Sequence, residues 1–187
     1  MPNMTNSAWI IVAAIVVIAA LAVAWLYSQR RRRELLRTRF GPEYDRTVQA
    51  VGTTGRAEAV LEERTARVAK YRLHELTAEE SRRFSDAWRA VQATFVDDPA
   101  AAVTDADRLV TEVMTARGYP MAEWDRRVED LTVDHANVVH HYRAAREIAA
   151  RHARHEASTE ELRQALVHYR ELFADLLGLP GSARRSA

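Results

Sequence analysis

Twenty consecutive residues, Ala8 to Tyr27 (AWIIVAAIVVIAALAVAWLY), carry no charge, no glycine and no proline, and Arg30, Arg31, Arg32 and Arg33 follow almost at once. At 1.5 Å per residue the run covers about 30 Å, the thickness of a bilayer's hydrocarbon core. Lipid offers the backbone no hydrogen-bond partners, so such a run must be helical there. A buried core helix is usually shorter and amphipathic. The run therefore reads as a transmembrane helix, and every other segment must be arranged around it.

The flanks sharpen this reading. Trp9 stands at one end, and Trp25 and Tyr27 at the other. Aromatic rings with a polar tip settle at headgroup level, so these three residues are expected at the membrane interface. Residues 1–7 hold no charged side chain, whereas Arg30, Arg31, Arg32, Arg33, Arg37 and Arg39 face a single acid, Glu34. The positive-inside rule places the arginines in the cytoplasm and the N-terminus outside. A cleaved signal peptide is the competing reading, because Ala22-Val23-Ala24 resembles an A-x-A cleavage site. Against it, the run lacks a basic n-region and exceeds the usual apolar core of about 7–15 residues. Ala20-x-x-x-Ala24 is a small-residue pair of the kind that lets two spans approach, which makes self-association one expectation.

Net charge misleads unless it is divided along the chain. The totals are 27 basic and 26 acidic residues. Removing the six arginines and one acid of residues 28–39 leaves 21 basic and 25 acidic side chains in residues 40–187. The domain is mildly acidic and the basic character is a juxtamembrane strip. A nucleic-acid partner would require a basic face and is not expected. The strip fits anionic lipid headgroups, at about 1 kcal/mol per near-surface charge.

Past the span, good helix formers dominate and no run alternates apolar with polar residues, so the fold class is all-α. The expected organisation is a short outer N-terminus (1–7), the transmembrane helix (8–27), and a basic segment with a mostly solvated helical stalk (28–76). A compact antiparallel helical bundle (77–178) and a disordered tail (179–187) follow. Pro42 suits a first helical position, and Gly52 to Gly55 reads as a loop. Thr77-x-x-Glu80 and Ser158-x-x-Glu161 have capping-box spacing. Phe84, Trp88, Val91 and Phe95 share one helical face, as do Leu162, Leu166, Tyr169, Phe173 and Leu176. Asp98 and Pro99 open a helix that Gly118 closes. Residues 121–131 form a shorter helix, 132–134 a turn, and Asn137 to about Glu156 a further helix. Short connections between such helices favour antiparallel neighbours.

Chemistry-bearing residues are weighed on the same basis. His135, His140, His141, His152, His155 and His168 crowd one third of the chain, and His141, Ala145, Ile148, His152 and His155 share a stripe. No Glu-x-x-His pair recurs on two helices, and His155-Glu156 does not open an H-E-x-x-H motif, because position 159 is Thr159. No metal site, cofactor or catalytic residue is assigned. Asp97-Asp98 and Glu160-Glu161 decorate helix N-termini, where negative charge is favourable. There is no phosphate loop, no cysteine and no recognisable nucleophile context.

The segments FVDDPAAAVTDADRLVTEVMTARGYP, LTVDHANVVHHYRAA and STEELRQALVHYRELFADLL, with RFGPEYDRTV after an N-terminal span, resemble a family of uncharacterised single-span membrane or secreted proteins of high-GC actinobacteria. The resemblance covers nearly the whole chain. It implies an anchored helical domain and brings no catalytic residue with it. The expected function is a non-catalytic protein-interaction or scaffold module on the cytoplasmic face of the cell membrane. Its partners are the bilayer, anionic headgroups, and an unknown protein or a second copy. The alternative is a ligand- or metal-binding sensor that uses the histidine-rich helix.

Overall fold

A computed structural model describes the backbone of residues 4–120 and 123–179, with side chains from residue 13 onward. Among the described residues there are eight α-helices and no strand, so the all-α class holds. The chain divides into two units, with the boundary between Arg39 and Phe40.

The first unit is one helix. α1 runs from Met4 to Phe40 without a break, 37 residues or about 55 Å. Its portion from Ala13 is long and apolar enough to cross a membrane, and none of the apolar window is buried by protein. The segment after Tyr27 continues the same helix.

The second unit opens with two short helices, α2 (Pro42–Val51) and α3 (Thr54–Val68), packed on each other. Pro42 occupies the first turn of α2, where its missing N–H would have no partner. Gly52 ends α2 in the left-handed conformation, and α3 begins two residues later, so the expected loop is shorter than 52–55. The stalk expected over these residues is helical, but it is not solvated. Phe40, Tyr44, Ala57 and Leu61 are buried, and Glu43 and Glu58 are buried with them. α3 lies against α6 of the bundle.

The bundle contains α4 (Ala78–Asp97), α5 (Pro99–Ala116), α6 (Trp124–Asp134), α7 (Val139–His152) and α8 (Thr159–Leu176). Both capping boxes form. Glu80 N donates to Thr77 Oγ1 at 3.2 Å while Thr77 N donates to Glu80 Oε2 at 2.9 Å, and Ser158 with Glu161 repeats the pattern. Only Asp98 separates α4 from α5. It caps α5 through Ala101 N at 2.9 Å, and two helices joined by one residue and packed side by side must run antiparallel. α7 and α8 form a second hairpin, and α5 packs on α8 to join the two. The core sits between them, with Trp88 of α4 stacked on Phe173 of α8 at 4.8 Å.

Several helix boundaries differ from the sequence reading. Thr132-Val133-Asp134 belongs to α6 instead of a turn, because Leu131, Thr132 and Val133 are fully or almost fully buried and draw the helix onward. Asn137 lies in the turn before α7, where Val138 and Val139 both donate to the His135 carbonyl. α7 then stops at His152, and His155 takes a positive φ of 61° in the turn to α8.

Gly118 closes α5 as expected, with φ 90°, and it has a second role. A Cβ there would meet the Arg72 carbonyl oxygen at 2.5 Å. The segment between α3 and α4 crosses closely over this turn, and His74 N donates to Arg117 O at 3.1 Å. The expected disordered tail falls almost wholly outside the described residues.

Candidate functional site: an exposed apolar helix and an arginine-lined cleft

The interface residues assigned from sequence all lie on α1. Trp25 is 62% exposed and Tyr27 68%, while the side chain of Trp9 lies outside those described. Ile15, Val16, Val17, Ile18, Leu21, Val23 and Leu26 are each more than half exposed. So large an apolar surface left to water would be strongly unfavourable, at about 25 cal/mol per Å². Arg30, Arg31, Arg32 and Arg33 are also exposed. Successive helical residues point about 100° apart, so four in a row surround the helix as a collar.

The histidines separate into groups. His135 is buried, with Nδ1 2.5 Å from Asp175 Oδ2, which ties the turn before α7 to the end of α8. His141 of α7 and His168 of α8 meet at 2.9 Å between their Nδ1 atoms, and the His140 ring lies 3.9 Å from that of His141. Burial first, then neighbouring His140 and His168, push the His141 pKa down to about 4, and burial also lowers that of His168. His152 and His155 stand apart from this group at the far end of α7. Of the expected stripe, Ala145 and Ile148 are buried on the core face of α7, whereas His155 lies beyond the helix and is exposed. Among the described residues no group of three or more histidines and carboxylates is placed to hold a metal ion.

Asp98 and Glu161 cap α5 and α8, while Glu160 pairs with Arg163. Glu161 accepts from the Ser158 backbone at 2.8 Å and from Arg151 at 2.5 Å, and these hydrogen bonds lower its pKa to about 2. Tyr169 OH donates to Asp107 at 3.0 Å. Burial, together with that carboxylate, raises the phenol's pKa well above its usual value.

Sequence reasoning missed a cluster between the α2–α3 pair and the bundle. Glu43 accepts both terminal nitrogens of Arg143, at 2.8 and 2.9 Å, and lies 3.6 Å from Arg64. Arg64 also approaches Glu129 at 3.5 Å. Arg67 donates to Asp130 at 2.8 Å and to Glu129 at 3.1 Å, and Tyr71 OH donates to Asp130 at 2.8 Å. A cleft of about 480 Å³ opens beside these pairs, with Trp124 and Val128 on its apolar side and Arg46 at its edge. Its charges already neutralise one another, so the cluster acts first as a clamp between helices. No protein-family model, curated protein or solved structure matches the chain.

Proposed function

We propose that the protein is a single-pass membrane protein whose helical unit lies on the cytoplasmic side and acts as a non-catalytic interaction or scaffold module. The observation that carries this reading is the uncovered apolar surface of α1 ending at the arginine collar. Lipid covers the first, and anionic headgroups with the positive-inside rule account for the second. The backbone is helical through Ala22-Val23-Ala24. The non-catalytic part rests on the use made of the polar groups: Asp98 and Glu161 cap helices, and Glu43, Arg64 and Arg143 hold helices together.

The test is a topology measurement. Reporters fused after Ala187 should be active only when the reporter functions in the cytoplasm, and the intact chain should resist alkaline extraction from membranes. Activity confined to the outer side, or a mature chain starting near residue 25, overturns the orientation. Affinity capture from detergent-solubilised native membranes should recover a reproducible protein partner or a second copy. A monodisperse monomer without companions overturns the interaction role.

A further inference from the structure

The cleft beside the α2–α3 pair holds a guanidinium that the clamp does not use in full. The Arg64 side chain is 12% exposed, and its Nε and Nη1 are buried with no hydrogen-bond partner among the described residues. The carboxylates beside it, Glu43 and Glu129, stand 3.6 and 3.5 Å away, within ion-pair reach but too far for good hydrogen bonds. Arg143 and Arg67, by contrast, each donate to a carboxylate at 2.8 Å. A buried guanidinium bonded so poorly is costly, and it calls for acceptor atoms that the chain does not supply.

The surrounding cleft provides the rest of a binding surface. Three arginines and three carboxylates line it, so their charges sum to zero. Two of these six stand free: Arg46 on α2 and Asp125 on α6 are exposed, and neither has an ion-pair or hydrogen-bond partner among the described residues. Ala50, Val51, Trp124 and Val128 form the apolar side. An anion alone would meet Arg64 in the company of two repelling carboxylates, and a cation alone would meet the arginines. Water would satisfy the donors and leave the apolar side wet. A ligand with both charges and an apolar body suits all three surfaces. The volume of about 480 Å³ lies within the range of small-molecule sites.

We infer that this cleft binds a small zwitterion, an amino acid with an apolar side chain. Its carboxylate takes N–H donors of Arg64 and Arg46, its ammonium group lies against Asp125 and Glu129, and its side chain covers Val51 and Val128. Because the lining comes from α2, α3 and α6, the bound ligand fastens the α2–α3 pair to the bundle. The site adds a small-molecule ligand to the interaction role proposed above and is independent of membrane orientation.

The experiment uses the full-length chain in detergent micelles. L-Leucine and L-phenylalanine, titrated by calorimetry, should bind with Kd below about 1 mM and raise Tm. 4-Methylpentanoate, which is leucine without its ammonium group, and isoamylamine, which is leucine without its carboxylate, should each bind at least about tenfold more weakly. Arg46→Gln and Asp125→Asn should each weaken leucine binding by a similar factor. Neither residue has a partner to lose, so both variants should keep the wild-type circular dichroism spectrum. Arg82→Gln, on α4 and outside the cleft, should leave binding unchanged. No binding of either amino acid below about 1 mM, a fragment that binds as tightly as leucine, or full affinity in either cleft variant overturns the inference.

Discussion

Glu43 shows how much one side chain can organise. Its carboxylate is 7% exposed and is gripped by Arg143 from both sides of the guanidinium fork, with Arg64 alongside. Removing one member of a buried pair leaves the other charges without compensation, so Glu43→Ala should cost about 3 kcal/mol in urea denaturation of the solubilised protein. Glu43→Gln, which keeps the shape and some hydrogen bonds, should cost less. His141 sets a pH dependence. Its folded pKa of about 4 lies below the ordinary value of 6.5. Between those values the unfolded chain binds the proton that the folded chain refuses. Stability is therefore full above about pH 6.5 and declines as pH falls toward 4. Tm should be lower at pH 5 than at pH 7.5, and His141→Gln should flatten that difference. The residues behind these two predictions were unequally legible. His141 and His168 both stood out by composition, although nothing in the sequence paired them across two helices. Glu43 gave no signal, because its partner Arg143 lies 100 residues further on and an isolated glutamate in a helical stretch looks like any solvated acid.

Helices were readable where their signals are local. Both capping boxes need only residues three apart, and both form as their spacing predicts. Ser158→Ala should lower stability by about 1 kcal/mol, measured by thermal or urea unfolding, because Glu161 N loses its acceptor. The apolar stripes of α4 and α8 were equally plain, since their period is set by the helix itself. The end of α6 was not, because burial of Thr132 and Val133 by neighbouring helices overrides a sequence that reads as a turn. For the same reason α2 and α3 looked like a solvated arm: few large apolar residues mark them, and the acids and arginines that dock them find partners on α6 and α7. α1 is the element whose sequence is least ambiguous. A charge at its middle costs roughly 2.5–3.5 kcal/mol in bilayer insertion. Val17→Arg should therefore shift the protein out of the alkali-resistant membrane fraction.

The apolar helix and the folded core belong to separate units of the molecule. Every side chain of the bundle core belongs to the unit that begins at Phe40. A fragment of residues 40–187 should remain helical and unfold cooperatively, as seen by circular dichroism, without detergent. A fragment that stays unfolded would place essential contacts in the first unit. The charge division read from sequence fits this separation, because the strongly basic segment ends at Arg39 and the remaining chain is acidic. The collar of Arg30 to Arg33 constrains one degree of freedom and releases another. Charges spaced all around a cylinder stop it from sliding along the membrane normal, yet they give every azimuth the same energy. In the proposed single-pass topology the arginines thus set the depth of the span and are indifferent to its spin. Any preferred facing between two spans must be written elsewhere on α1, and the Ala20–Ala24 stripe, exposed and low in profile, is the place where the sequence provides for it.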